Sequence, residues 1–135
     1  MKSQAAIEYY TIISVALIIL LPLSVYVYQL LNEYGDDTNL SLAKDTVNKL
    51  GEDADWVFSQ GPPAKLSLEV YIPEGVETIS LDNKMILFSM KTTAGTTDVY
   101  YQTICNLTGS IPTKSGHYPI SLVANTNDVN IAVVA

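Results

Sequence analysis

Residues 9–31, YYTIISVALIILLPLSVYVYQLL, carry no formal charge and are mostly apolar. A hydrocarbon layer about 30 Å thick needs roughly 20 helical residues to cross it. The run is therefore predicted to be a helix long enough to span a membrane. Lys2 and the starting amine precede it, and Glu33, Asp36 and Asp37 follow it. Basic residues favour the cytoplasmic side, so the N-terminus is expected inside and the body of the chain outside. From Gln4 to Asn32 the only formal charge is Glu8. An isolated carboxylate in apolar surroundings costs several kcal/mol unless it is paired or protonated, so Glu8 needs a reason.

Three readings compete for this segment. One is a plain single-pass anchor, with Glu8 at headgroup level and no specific role. A secretory signal peptide is the second, and it fits poorly. Such signals have a short apolar core followed by a small-residue cleavage site, whereas this run is longer and ends in YVYQLLNEYG. The third places processing before the run. The stretch KSQAAIEYY resembles the class III signal peptide of archaeal type IV pilins. In that family a short basic leader is cut just before a Gln, a Glu stands fifth in the mature chain, and a long apolar helix follows. Here the cut would fall between Ser3 and Gln4, and the acid is Glu8. Ser3, Ala5 and Ala6 are small, as the resemblance requires, and Ile7 fills the apolar position before the acid. Archaellins share the route but usually have a Gly-rich start without this Glu, so they rank lower.

The resemblance implies a structural subunit of an archaeal type IV-like pilus. Residues 1–3 would be the leader. Residues 4–60 would form a helix whose apolar half, 4–34, serves as membrane anchor and then as filament core. Residues 61–135 would be a β-rich head on the outer surface, for adhesion. The partners implied are copies of the same chain in a helical homopolymer, a class III prepilin peptidase, an assembly ATPase with its membrane platform, and the membrane before assembly. The new amine of Gln4 on one subunit would meet Glu8 on a neighbour and set the axial register, as one polar group can in a coiled coil. A minor pilin, or a membrane-anchored extracellular binding domain, is the alternative.

Pro22 lies inside the apolar run. It lacks an N–H and crowds the preceding turn, so a kink or local loosening is expected there. Further on, Leu40, Ala43, Val47, Leu50, Ala54 and Val57 recur at spacings of three and four, which is one helical stripe. Lys44, Lys49, Glu52 and Asp53 lie off it. The stripe is expected to pack against the head, with Trp56 and Phe58 filling the junction. Gly35 and Gly51 weaken the case for an unbroken helix, and SQGPPAK ends it.

After Lys65 the period becomes two. Leu66, Leu68, Val70 and Ile72 alternate with polar residues or Tyr. VETISL, KMILFSM, TDVYYQTIC, YPISLVA and DVNIAVV follow, separated by turn-forming stretches, with tight hairpins at LDNKM and VANTNDV. The fold class expected is α+β: a long N-terminal apolar helix followed by a small antiparallel β-sandwich of six or seven strands. About 70 residues make a marginal core alone, and the helix stripe would complete it.

Chemistry is sparse. Lys is the only basic residue type apart from His117, and 14 Asp and Glu face 7 Lys, for a net charge of −7. Nucleic-acid binding needs clustered cations, and none are present. Cys105 is the only cysteine and reads as a small buried hydrophobe. The sole histidine, His117, sits in a turn-like SGHYP context. No P-loop, dinucleotide fingerprint or zinc-protease motif occurs, so no catalytic residue, metal or cofactor is expected. The acid pairs Asp36–Asp37 and Asp53–Asp55 read as a solvated face. Two glycosylation sequons, Asn39-Leu40-Ser41 and Asn106-Leu107-Thr108, become acceptors if the head is outside.

Overall fold

The computed structural model describes residues 2–134. The fold is α+β, one long N-terminal helix followed by seven strands. Helix α1 runs Lys2–Gln60 and contains Pro22, Gly35 and Gly51. The strands are β1 (Lys65–Ile72), β2 (Val76–Asp82), β3 (Met85–Thr92), β4 (Gly95–Gln102), β5 (Asn106–Gly109), β6 (Gly116–Ala124) and β7 (Asp128–Val133). The chain divides into two compact units, Met1–Gly35 and Asp36–Ala135. The second unit thus takes in the later part of α1 together with every strand.

Within the second unit, α1 stops where the chain first meets left-handed backbone. Gly61 has φ +74°, and its N–H donates to the Phe58 carbonyl at 3.0 Å. That is a glycine C-terminal cap, and Pro62 and Pro63 prevent resumption. The stripe behaves as the periodicity requires: Ala43, Val47, Leu50, Ala54 and Val57 are fully buried, and Leu40 packs partly on the same core.

Two sheets face each other across that core. One is β2-β3-β4, antiparallel throughout. The other has the order β1-β6-β7-β5. In it β1, β6 and β7 are antiparallel neighbours, but β5 runs parallel to β7. The head is therefore not purely antiparallel, and NLTG is a strand that the alternation did not announce. Strand β4 ends at Gln102, short of the TIC expected within it. Alternation sorts the faces: Ile86, Phe88 and Met90 of β3 meet Ile120, Leu122, Val129 and Ile131 inside.

The β2–β3 hairpin turns on Asn83 (φ 42°) and Lys84 (φ 69°). Two positive-φ residues between antiparallel strands make a type I′ connection, as LDNKM suggests. Pro119 lies on the interior strand β6, where proline is unusual. Its carbonyl accepts the Val134 N–H at 2.7 Å, so its missing N–H falls on the β7 side, just beyond the last β6–β7 pair, Ile120↔Val133. Only the end of that ladder is affected. Glu69, opposite Pro119, then directs its own backbone groups away from β6. So does Tyr71 two residues on, because hydrogen-bonded and non-bonded pairs alternate.

Helix α1 occupies that side. Thr46 donates its hydroxyl to the Tyr71 carbonyl at 2.8 Å. On β4, the Tyr101 ring lies over Gly51. A Cβ there would stand 2.0 Å from Tyr101 Cδ1, so only glycine admits this approach. The helix is in reach of one strand from each sheet and closes the core between them.

Trp56 departs from expectation. It is 53% exposed, while Phe58 packs on the core. At about 100° per residue, Trp56 stands some 200° round from Ala54 and points away from the sheets. The acid pairs also depart from a uniformly solvated face. Asp36 Oδ2 accepts the Thr93 N–H at 2.6 Å and also the Thr93 hydroxyl, fastening the tip of the β3–β4 hairpin. Asp55 Oδ1 accepts the Ile104 N–H at 2.9 Å, fastening the segment after β4.

Candidate functional site

The first unit is helical from Lys2 and presents apolar side chains on every side. Ile7, Ile12, Val15, Leu17, Ile18, Leu20, Leu21, Leu23, Val25 and Leu31 are all exposed, as are Tyr9, Tyr10, Tyr26, Tyr28 and Tyr34. α1 is the one helix among the described residues long and apolar enough to cross a membrane, and none of its apolar window is buried. It is a candidate membrane anchor.

Its hydroxyls do not interrupt that surface. Thr11 donates to the Ile7 carbonyl at 2.8 Å, Ser14 to that of Tyr10 at 2.7 Å, and Ser24 to that of Leu21 at 2.8 Å. Each folds back on its own helix, the usual way for Ser and Thr to satisfy themselves where water is scarce. Sequence reasoning passed over this feature. The signal available was that every Ser and Thr in the run has a carbonyl three or four residues before it.

Ser3, Gln4 and Glu8 all lie in α1 with exposed side chains. Gln4 and Glu8 are four residues apart, hence on one side of the helix and a turn from each other. Long helical side chains lean toward the N-terminus, which directs the Glu8 carboxylate toward Gln4. Should the chain begin at Gln4, its amine would be in that region. Pro22 sits well along α1, and helix continues on both sides of it. The Ile18 carbonyl, four residues before Pro22, loses its regular donor there.

In the second unit a groove of about 540 Å³ has mixed chemistry. Its walls include Leu42, Asp45 and Lys49 of α1, Glu69 and Tyr71 of β1, and His117. His117 is not in a turn: it is the second residue of β6, in register with Tyr71. The two rings lie 4.9 Å apart at 45°. Its Nδ1 is 3.5 Å from Glu69 Oε1, both side chains being largely exposed. Such a pair contributes about 1 kcal/mol or less. Among the described residues no group of three or more His, Cys, Asp and Glu could hold a metal ion.

Cys105 is buried. Burial pushes its thiol pKa up, and the nearby Asp55 carboxylate adds to that, so the reactive thiolate is disfavoured. Tyr101 is likewise pushed up, by desolvation first and then by Asp55 and Glu52. Asp36 is held below the ordinary carboxylate value by the hydroxyl and backbone hydrogen bonds of Thr93. Asn39 lies within α1, and Asn106 opens β5.

Compared with protein-family models, with curated proteins and with solved structures, the chain finds no match.

Proposed function

We propose that this chain is a structural subunit of an archaeal type IV-like pilus, made as a membrane precursor and assembled through the apolar part of α1. The observation that carries the reading is the contrast between the two units. The first exposes apolar side chains around its whole circumference, while the second already encloses a complete core of its own. An uncovered apolar surface of that extent has two plausible surroundings, lipid or other helices. The motif at Ser3, Gln4 and Glu8 favours lipid first and copies of the same chain afterwards.

On this reading a class III prepilin peptidase removes Met1–Ser3 on the cytoplasmic side, and the head stays outside. An assembly ATPase on a membrane platform supplies the work. Lipid is as apolar as a leucine side chain, so leaving it gains little hydrophobic free energy, and close packing between helices must compensate. Back-bonded Thr11, Ser14 and Ser24 suit both surroundings. Glu8 and the Gln4 amine, on one chain or two, are the polar pair that fixes register. The heads form the outer surface, for adhesion.

Mass spectrometry of the mature N-terminus tests the processing step, and electron microscopy of sheared surface fibres tests assembly. A chain starting at Gln4 within fibres is expected. Glu8→Ala should leave the protein in the membrane and abolish fibres; normal fibres from that variant would remove the register role. The second reading, a monomeric membrane-anchored extracellular binding protein, draws on the groove beside His117. Mature, lipid-embedded chains that retain Met1 would favour it.

A further inference from the structure

The two sequons differ in a way that decides which can be modified. An N-glycan acceptor is read as a pair, the Asn amide and the hydroxyl two residues later. In a strand those two side chains share a face; on a helix they stand about 200° apart. Asn39 and Ser41 lie in α1, and Leu40 between them packs on the core, so the folded helix splits the pair. Asn106 and Thr108 lie in β5, a four-residue strand at one edge of its sheet.

Burial alternates through this region. Thr103, Cys105 and Leu107 are buried, while Ile104, Asn106 and Thr108 are exposed. The amide and the hydroxyl therefore share the outward face of β5, and Ile104, in the bend just before the strand, is exposed two residues ahead of Asn106. Ile104 is 62% exposed, yet its backbone is fixed, its N–H held by Asp55 at 2.9 Å. The Thr108 hydroxyl donates to Asp128 Oδ2 at 2.6 Å and receives Asn130 Nδ2 at 3.3 Å. Both bonds are solvent-exposed.

We propose that Asn106, and not Asn39, carries an N-linked glycan whose first sugar rests its C–H face on Ile104. The inference rests on the outside placement of the head under the reading above. The donor is a polyprenyl-phosphate-linked oligosaccharide. The Asn106 amide nitrogen attacks the anomeric carbon, a C–N bond forms, and the anomeric C–O bond to phosphate breaks. The lipid phosphate leaves, and the amide proton passes through a base of the transferring enzyme to solvent. Apolar contact with Ile104 removes from water a large apolar side chain that its own unit leaves mostly uncovered.

The test uses full-length protein from the native cell surface. Peptide mass spectrometry is expected to find the added mass on the Asn106 peptide and an unmodified Asn39 peptide. Asn106→Gln and Thr108→Ala should each abolish the mass, and Asn39→Gln should leave it unchanged. Enzymatic deglycosylation should lower the thermal midpoint, and in Ile104→Ser that drop should shrink by half or more while the glycan is still attached. An unmodified Asn106, or a glycan on Asn39 instead, overturns the assignment. An equal drop in Ile104→Ser overturns the contact. The N-terminus is sequenced on the same sample. An unmodified Asn106 in chains beginning at Gln4 defeats this inference alone, and a head found on the cytoplasmic side defeats both it and the pilus reading.

Discussion

At the scale of single residues, the informative positions are those where chemistry and spacing disagree. Gly51 looks like a weak point in a helix, because glycine costs about 1 kcal/mol there relative to alanine. The Tyr101 ring explains it: the atoms nearest a new Cβ are Cδ1, Cε1 and Cγ, the ring itself and not a flexible tip. Gly51→Ala should therefore destabilise the second unit by about 1–3 kcal/mol through overpacking, despite better helix propensity. Urea denaturation checks this; a variant more stable than wild type would mean that Tyr101 moves aside freely. Asp36 carries a pH dependence. Its folded pKa is held below the ordinary value of 3.8, so the unfolded chain takes up the proton first as pH falls. The stability from the Thr93 bonds is thus complete above the unfolded pKa and disappears as pH drops through the folded value. The thermal midpoint gap between wild type and Asp36→Ala should be constant near neutrality and close on acidification below about pH 4. Neither role is visible in sequence. Tyr101 is remote from Gly51 along the chain, and Asp36 and Asp55 serve N–H groups 57 and 49 residues later.

At the scale of elements, periodicity carried the reading where it was sustained. The stripe from Leu40 to Val57 and the alternation from Leu66 to Ile72 are both long enough to declare their period, and both faces bury as that period requires. Residue type alone sends Trp56 inward; its angle on the helix decides the matter and points it outward. Strand β5 was missed for a different reason. It has four residues, one buried apolar side chain, and a parallel partner that begins some twenty residues later, so nothing local marks it. Gly109 ends it with φ +114°, where a Cβ would stand 1.9 Å from the Ile131 carbonyl oxygen. The stretch around Ser3, Gln4 and Glu8 stands out in sequence by its spacing and lone charge, and the back-bonding of Thr11, Ser14 and Ser24 follows from helix geometry once the run is taken as a helix. The later part of α1 is a core element, not a spacer. Leu50→Ala, at the middle of the stripe, should cost about 2–5 kcal/mol, measured by denaturation followed at the aromatic residues. A loss below 1 kcal/mol would mean that the sheets hold together without the helix.

At the scale of the whole molecule, charge and apolar surface pull in opposite directions. A net charge of −7 over the whole sequence, one unit more negative once Lys2 leaves with the leader, makes copies repel one another, while the first unit draws them together under the pilus reading. Screening acts over about 8 Å at physiological ionic strength and 30 Å at 0.01 M. Fibres should therefore be more resistant to dissociation at 0.15 M salt than at 0.01 M by about an order of magnitude in free subunit, which sedimentation of sheared material reads out. The opposite trend would indicate that attraction between opposite charges holds the polymer together. The Thr46–Tyr71 bond and the Gly51–Tyr101 approach also bear on where the chain can be cut. Trimming at the last helical residue would strip a wall from the hydrophobic interior and leave an aggregating remnant, whereas a fragment opening near Asp36 retains that wall and should remain dispersed in plain buffer.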